Sequence, residues 1–184
     1  DYWAEALRRD PGDARCNLAL GRRELERGRF TEAAAFLEKA IARLTFRHPN
    51  PVTGEAHYYL GVTRRFLEQE EEAYRLLYKA AWSYEWRAAG YYEIACLDAK
   101  RGDWERARQH AALSLETNAT NNKARVLQSL CDRMLGDVAK ARDAIDALLA
   151  RDPLDHWALA ERAKHTGGGA RLAPASRNDG QTAL

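Results

Sequence analysis

Ala73, Ala107 and Ala141 follow one another at intervals of 34 residues, and the last two close segments of one pattern. Gly102-Asp103-Trp104-Glu105-Arg106-Ala107 and Gly136-Asp137-Val138-Ala139-Lys140-Ala141 each read glycine, a polar residue, a bulky apolar residue, two mostly polar residues and alanine. Gly28-Arg29-Phe30-Thr31-Glu32-Ala33 has the same form, but Ala33 precedes Ala73 by 40 residues, so that interval carries six more. The surplus falls in Thr45-Phe46-Arg47-His48-Pro49-Asn50-Pro51-Val52-Thr53-Gly54, whose prolines and glycine cannot continue a helix. A fixed period of this length predicts an array of supersecondary units that bury their apolar faces against one another.

Each unit resolves into two helices. Counting slots from unit starts at residues 14, 54, 88 and 122, slot 8 is small (Gly21, Gly61, Ala95, Ser129), which lets a neighbouring helix approach closely. The second helix has alanine at slot 20, an apolar residue at slot 24 (Leu37, Leu77, Ala111, Ile145) and usually a small one at slot 27 (Ala40, Ala80, Ser114). Steps of four and three put these slots on one helical face. Slot 15 is glycine in three units and Glu68 in the second, at a place suited to a left-handed turn.

The predicted units are residues 14–53, 54–87, 88–121 and 122–155. Residues 1–13 read as the second helix of a truncated unit, with Trp3 and Ala6 at slots 24 and 27. Residues 156–165 read as a further first helix or cap, and 166–184 as a glycine-rich linker and tail. The chain opens at Asp1 without Met, which reads as a piece of a longer protein. Arginine outnumbers lysine 23 to 6 and alanine is abundant, as in chains from GC-rich bacterial genomes.

Glycine or alanine at slot 8, glycine at 15, an aromatic at 17 and alanine at 20 and 27 resemble the tetratricopeptide repeat (TPR) family. The resemblance covers residues 1 to about 164. Slot 4 departs from the family's tryptophan, being Asn17, His57, Tyr91 and Arg125, and slot 32 is proline only in the fourth unit. The RNA-reading pentatricopeptide relatives run at 35 residues, which the two 34-residue intervals oppose. The resemblance implies an all-α, right-handed α–α superhelix whose first helices line a concave groove through slots 2, 5, 9, 12 and 13. Carried over residue by residue, it implies partner-binding roles for Arg15, Arg22, Tyr58, Arg65, Phe66, Tyr92, Lys100, Lys123, Arg133 and Met134. At those slots six basic residues face two acidic ones, Glu26 and Glu55. The family's chaperone-binding carboxylate clamp is not evident, because slots 5 and 9 of the first unit are Leu18 and Arg22.

No catalytic, cofactor-binding or metal-binding constellation emerges. Cys16, Cys96 and Cys131 are too far apart for a CxxC site and odd in number, which excludes a disulfide framework. The histidines (His48, His57, His110, His156 and His165) form no HExxH motif, and His57 reads as a packing residue. His165-Thr166-Gly167-Gly168-Gly169 reads as a linker, since no GxSxG elbow accompanies it. Glu68-Gln69-Glu70-Glu71-Glu72 reads as a turn followed by the acidic first turn of a helix. Asn118-Ala119-Thr120 matches a glycosylation sequon and is discounted in a helix-to-helix loop of a bacterial chain. Tyr74, Tyr78 and Trp82 form one helical stripe within an aromatic run that continues through Tyr84, Trp86, Tyr91 and Tyr92. Core packing accounts for most of that run, with a binding surface for sugars, peptides or bases as the remainder.

A net charge of +2 is too small to carry nucleic-acid binding, and no apolar run is long enough to span a membrane. The expected function is a non-catalytic scaffold that binds a protein or peptide, acidic ones included, through the groove. The alternative is an accessory helical-repeat region of a larger enzyme, for which carbohydrate-active partners are one expectation. Uncovered apolar faces at truncated repeat ends allow self-association. The compartment is open from sequence, with the cytoplasm favoured.

Overall fold

The computed structural model describes residues 2–47, 49 and 53–166. Among them run ten α-helices and no strand. The first helices of the units are α2 (Ala14–Glu26), α4 (Glu55–Phe66), α6 (Tyr84–Lys100), α8 (Asn122–Met134) and α10 (His156–Thr166). The second helices are α1 (Tyr2–Arg9), α3 (Phe30–Leu44), α5 (Glu70–Ala81), α7 (Trp104–Thr117) and α9 (Val138–Arg151). Each helix packs on its predecessor and successor in the chain. The linker and tail expected for 166–184 lie outside the described residues, except that Thr166 ends α10. His48 and part of the insertion are also outside them.

The paired helices meet through the small-residue face. Ala33, Ala73, Ala107 and Ala141 at slot 20 have no exposed surface, and Leu37, Leu77, Ala111 and Ile145 at slot 24 are sealed with them. A methyl added to Gly21 would stand 2.6 Å from Leu37 Cγ, and one on Gly61 2.8 Å from Leu77 Cγ. In the third unit the pair is Ala95 with Ala111, so the larger residue at slot 8 goes with the smaller one at slot 24. In the fourth, Ser129 sends its hydroxyl to the Ala141 carbonyl at 2.8 Å, which satisfies a fully buried donor. The core is correspondingly divided into clusters along the array, such as Val62, Leu77, Ile94 and Leu97 in the middle and Ile145, Leu148 and Ala158 near one end.

The turns inside the units follow the left-handed geometry expected at slot 15. Gly28, Gly102 and Gly136 have φ of 74°, 76° and 98°. Glu68 takes φ 60°, and it is the one non-glycine with positive φ among the described residues.

The third unit differs from its expected boundary. Helix α6 starts at Tyr84, four residues before 88, and only Trp82 and Ser83 separate it from α5. Here the junction has no Asn or Pro comparable with Asn118–Asn121 or Pro153, so nothing opposes one further helical turn. Gly90 brings α6 against the end of α5, since a Cβ there would lie 3.0 Å from the Leu77 carbonyl oxygen. The stripe Tyr74, Tyr78, Trp82 therefore breaks at its last member. Tyr74 and Tyr78 pack into the core, whereas Trp82 is left exposed beyond the end of α5.

A charged residue at slot 11 ties neighbouring helices together. Arg64 pairs with Glu38 of α3 and, at 3.2 Å, with Glu72 of α5. Asp98 accepts from His110 Nδ1 at 2.6 Å, while His110 Nε2 lies 2.5 Å from the Tyr78 hydroxyl, linking α5, α6 and α7. The tautomer with Nδ1–H serves both bonds, Tyr78 donating to Nε2. Asp132 holds Lys140 of α9 at 3.0 Å and Arg108 of α7 at 3.4 Å. Buried carboxylates at Asp98 and Asp132 are thus compensated by partners on both adjoining second helices. His57 at slot 4 is sealed as well, and its burial, with Lys79 nearby, holds its imidazole neutral with a pKa lowered to about 4.

Two expectations test this packing. Glu68→Gly removes left-handed strain from a side-chain-bearing residue and raises stability by about 0.5–1 kcal/mol, read as an increase in the thermal midpoint. Gly61→Ala costs about 1–3 kcal/mol by overpacking, and the cost shrinks in a Leu77→Ala background, giving a favourable coupling in a double-mutant cycle by chemical denaturation.

Candidate functional site on the inner wall

Successive first helices touch one another throughout the array (α2 with α4, α4 with α6, α6 with α8, α8 with α10). Successive second helices make no comparable contact among the described residues. The solenoid therefore curves with its first helices on the inside, and the residues they turn away from their second helices form the inner wall.

Ten residues were expected there, and the structure divides them into three groups. Arg22, Arg65, Lys100 and Arg133 are engaged by glutamates. Arg22 reaches Glu55 of α4 at 3.0 Å, with its guanidinium 4.8 Å above the Tyr59 ring. Arg65 reaches Glu93 of α6 at 3.2 Å, Arg133 reaches Glu161 of α10 at 2.5 Å, and Lys100 reaches Glu70 of α5 at 2.6 Å. Arg15 and Lys123 are exposed and form no salt bridge among the described residues. Tyr58, Phe66, Tyr92 and Met134 supply apolar surface, of which Phe66 is 49% and Met134 36% exposed. Tyr58 is half-buried against Trp86 at 5.0 Å.

The charge balance of the wall is correspondingly different from the slot count. Glu93 and Glu161 answer two of the six cations and bring the acids of the first helices from two to four, while Glu70 of α5 answers a third. Glu93 and Glu161 sit at slot 6, outside the slots that the family resemblance supplied. Their signal in the sequence is the constant offset of 28 residues from Arg65 and from Arg133. Glu93 is almost fully enclosed, and burial pushes its carboxyl pKa up against the opposing pull of Arg65 and Lys123. The slot-11 charges were likewise missed, although Asp98 and Asp132 are spaced by the 34-residue period.

These pairs reveal a constellation that repeats every second unit. Arg65, Phe66 and Glu93 are matched, 68 residues on, by Arg133, Met134 and Glu161. In both copies the arginine crosses to the next first helix while lying along its own apolar neighbour. The Arg65 guanidinium is 4.9 Å from the Phe66 ring centre, and Arg133 Nη1 is 3.7 Å from Met134 Sδ. Phe66 is steadied from behind by Phe30, stacked at 4.7 Å and nearly parallel. Each constellation thus presents an exposed apolar anchor whose position is held by a partly buried ion pair.

Burial raises the Cys96 thiol to about 11 and the Cys131 thiol to about 12, far from a reactive thiolate at neutral pH. Among the described residues no group of three or more His, Cys, Asp or Glu is placed to hold a metal ion, and no helix is long and apolar enough to cross a membrane. The Tyr78–His110–Asp98 chain is enclosed between three helices and acts as a clasp.

A family model described as tetratricopeptide repeat matches residues 1–46 and 92–156. Solved structures with the same architecture include MamA, at 19% identity and TM-score 0.70 over 88% of this chain and 85% of that one. YrrB, described as a TPR protein with an unusual peptide-binding site, aligns at 18% identity and TM-score 0.69 over 90% of this chain and 82% of its own. In the APC/C hetero-tetramer Cut9–Hcn1, a chain aligns at 16% identity and TM-score 0.75, covering 89% of this chain and 32% of that one. Likeness at these identities establishes the fold.

The ion pairs set an expectation for stability. Arg65→Met leaves Glu93 enclosed without its cation and lowers unfolding free energy by about 2–3 kcal/mol. Adding Glu93→Leu restores most of the loss, as measured by urea titration of the single and double variants.

Proposed function

The chain belongs to the tetratricopeptide repeat family, a right-handed α–α solenoid, and on that premise we propose that it is a non-catalytic scaffold whose inner wall binds an extended or helical peptide segment of a protein partner. The observation that carries this reading is the twice-repeated set of an exposed apolar side chain beside an Arg–Glu pair, at Phe66 and at Met134. Exposed Phe and Met on a wall otherwise rich in charge are expensive to leave in water, and two such anchors at matching slots suit a partner with two apolar side chains. Tyr92 and Tyr58 add aromatic surface between the anchors, and the ion pairs offer donors and acceptors to the partner's peptide groups. A preference for acidic segments rests on Arg15 and Lys123, the exposed cations of the wall that form no salt bridge among the described residues, because Arg22, Arg65, Lys100 and Arg133 are already answered. YrrB, described as having a peptide-binding site, and a chain of the Cut9–Hcn1 hetero-tetramer support a partner-binding role for this architecture.

Charge reversal of Arg65 or Arg133 would disturb folding as well as binding, since each holds a buried glutamate. The informative test places a photo-cross-linking residue at 66, at 134 and, as an outer-face control, at the exposed Arg75 of α5. Expected is cross-linking of the same partner segment from 66 and 134, abolished by Phe66→Ser with Met134→Ser, and little from 75. Equal or stronger yield from position 75 would remove the inner wall as the binding surface.

A further inference from the structure

The early start of α6 does more than shorten a loop. Its added turn, Tyr84–Arg87, stands beside the ends of α5 and α7 and encloses an open pocket of about 380 Å³, lined by Trp82, Tyr84, Arg87, Tyr91, Glu116 and Thr117 among others. The pocket lies where second helices end and a first helix begins, and it shares no residue with the ten of the inner wall. Its volume falls at the small end of the roughly 300–1,000 Å³ typical of ligand sites.

The lining is held in place by contacts that a ligand does not have to create. Tyr91, which lines the pocket, stacks on His110 with ring centres 5.9 Å apart, and His110 is itself held by Asp98 and Tyr78. Arg87 donates from Nε to the Ala81 carbonyl at 3.2 Å and lies 5.7 Å from the Tyr84 ring centre. Among the described residues its terminal nitrogens meet no carboxylate, and Glu116 likewise has no ion pair. The Thr117 hydroxyl points back to the Leu113 carbonyl at 3.5 Å, leaving its lone pairs to accept. Trp82 and Tyr84 are 64% and 69% exposed, the largest exposures of any Trp or Tyr described except Trp157, which equals Trp82.

We propose that this pocket is a second binding site and that its ligand is a neutral saccharide. One arginine and one glutamate give the lining no net charge, so neither an anion nor a cation is drawn to it. Both charged groups can exchange water for a ligand's polar groups, Glu116 taking a donor and Arg87 an acceptor, and a sugar hydroxyl is both. The flat faces of Trp82 and Tyr84 carry negative quadrupole charge that accommodates the C–H face of a pyranose ring. Apolar faces with hydroxyls around the edge are the chemistry that such a lining complements. The site is independent of the peptide-binding reading of the inner wall.

The test titrates the full chain with neutral hexasaccharides of glucose, mannose, xylose and N-acetylglucosamine, followed by saturation-transfer NMR and calorimetry. Expected is saturable binding of at least one series that is insensitive to salt and weakened about tenfold or more by Trp82→Ala, several-fold by Glu116→Gln, and not at all by Phe66→Ser. Trp82 and Glu116 are exposed, and circular dichroism verifies that the variants fold. Absence of binding by all four series overturns the proposal, as does binding that survives Trp82→Ala. Preferential, salt-dependent binding of uronic-acid oligomers, or occupation of Trp82 by a neutral proline-rich peptide instead of a sugar, also overturns it. Loss of partner cross-linking at positions 66 and 134 bears on the inner wall alone and leaves this site standing.

Discussion

Close approach of the two helices in each unit is the constraint on which the remaining structure depends. A leucine at slot 24 fits only where slot 8 has no side chain, as Gly21 beside Leu37 and Gly61 beside Leu77 demonstrate. Protein interiors are packed densely, so a side chain at slot 8 has to be accommodated in another way. Ala95 faces the short Ala111, and Ser129 beside Ile145 turns its hydroxyl to the Ala141 carbonyl. Because slots 8, 20, 24 and 27 recur in each unit, one helix-pair geometry is stamped along the chain, and the curvature of the solenoid follows from its repetition.

Upon that frame lie two sets of charges with different work to do. In three units the slot-11 residue joins its first helix to the second helices on either side, as Arg64, Asp98 and Asp132 do with three unlike sets of partners, while Glu24 of the first unit holds Arg23, Arg27 and Arg29 around its own turn. Their burial is tolerated because each is answered by an opposite charge or a hydrogen-bonding ring. The inner-wall pairs, Arg65 with Glu93 and Arg133 with Glu161, instead join consecutive first helices and hold an exposed apolar residue in position. Alternate units lack the pair: Leu25 and Ala99 occupy the equivalent positions of Arg65 and Arg133. The wall is consequently patterned with a period of two units.

Much of this was legible in the residues themselves. The glycines of slot 15 mark the turns because only residues without Cβ take a left-handed conformation freely, and Gly28, Gly102 and Gly136 do. The alanines of slot 20 and the apolar residues of slot 24 identify the buried face through helical spacing alone. The boundary of the third unit was not legible, since the run from Tyr84 to Arg87 has no feature that forces either loop or helix. Its fate was settled by Gly90, which lets α6 lie directly on the end of α5. The aromatic run illustrates the same divide: Tyr78 and Tyr91 are half-buried against the core, Trp86 packs on Tyr58, and Trp82 and Tyr84 remain outside. Spacing along one helix cannot register where that helix stops.

The repeat, its helix pairs, the buried face and the family membership are all written in the chain, because they rest on helical spacing repeated at a constant interval. The charge of the inner wall, the clasp formed by Tyr78, His110 and Asp98, and the pocket beside Trp82 arise only when the helices pack. Each of those depends on side chains from different helices meeting at particular distances. Arg65 reads as a free cation until the rotation between neighbouring units brings Glu93 within 3.2 Å of it. Local periodicity says which face of a helix is turned inward, while the angle at which the next helix crosses it decides which charges are left unanswered.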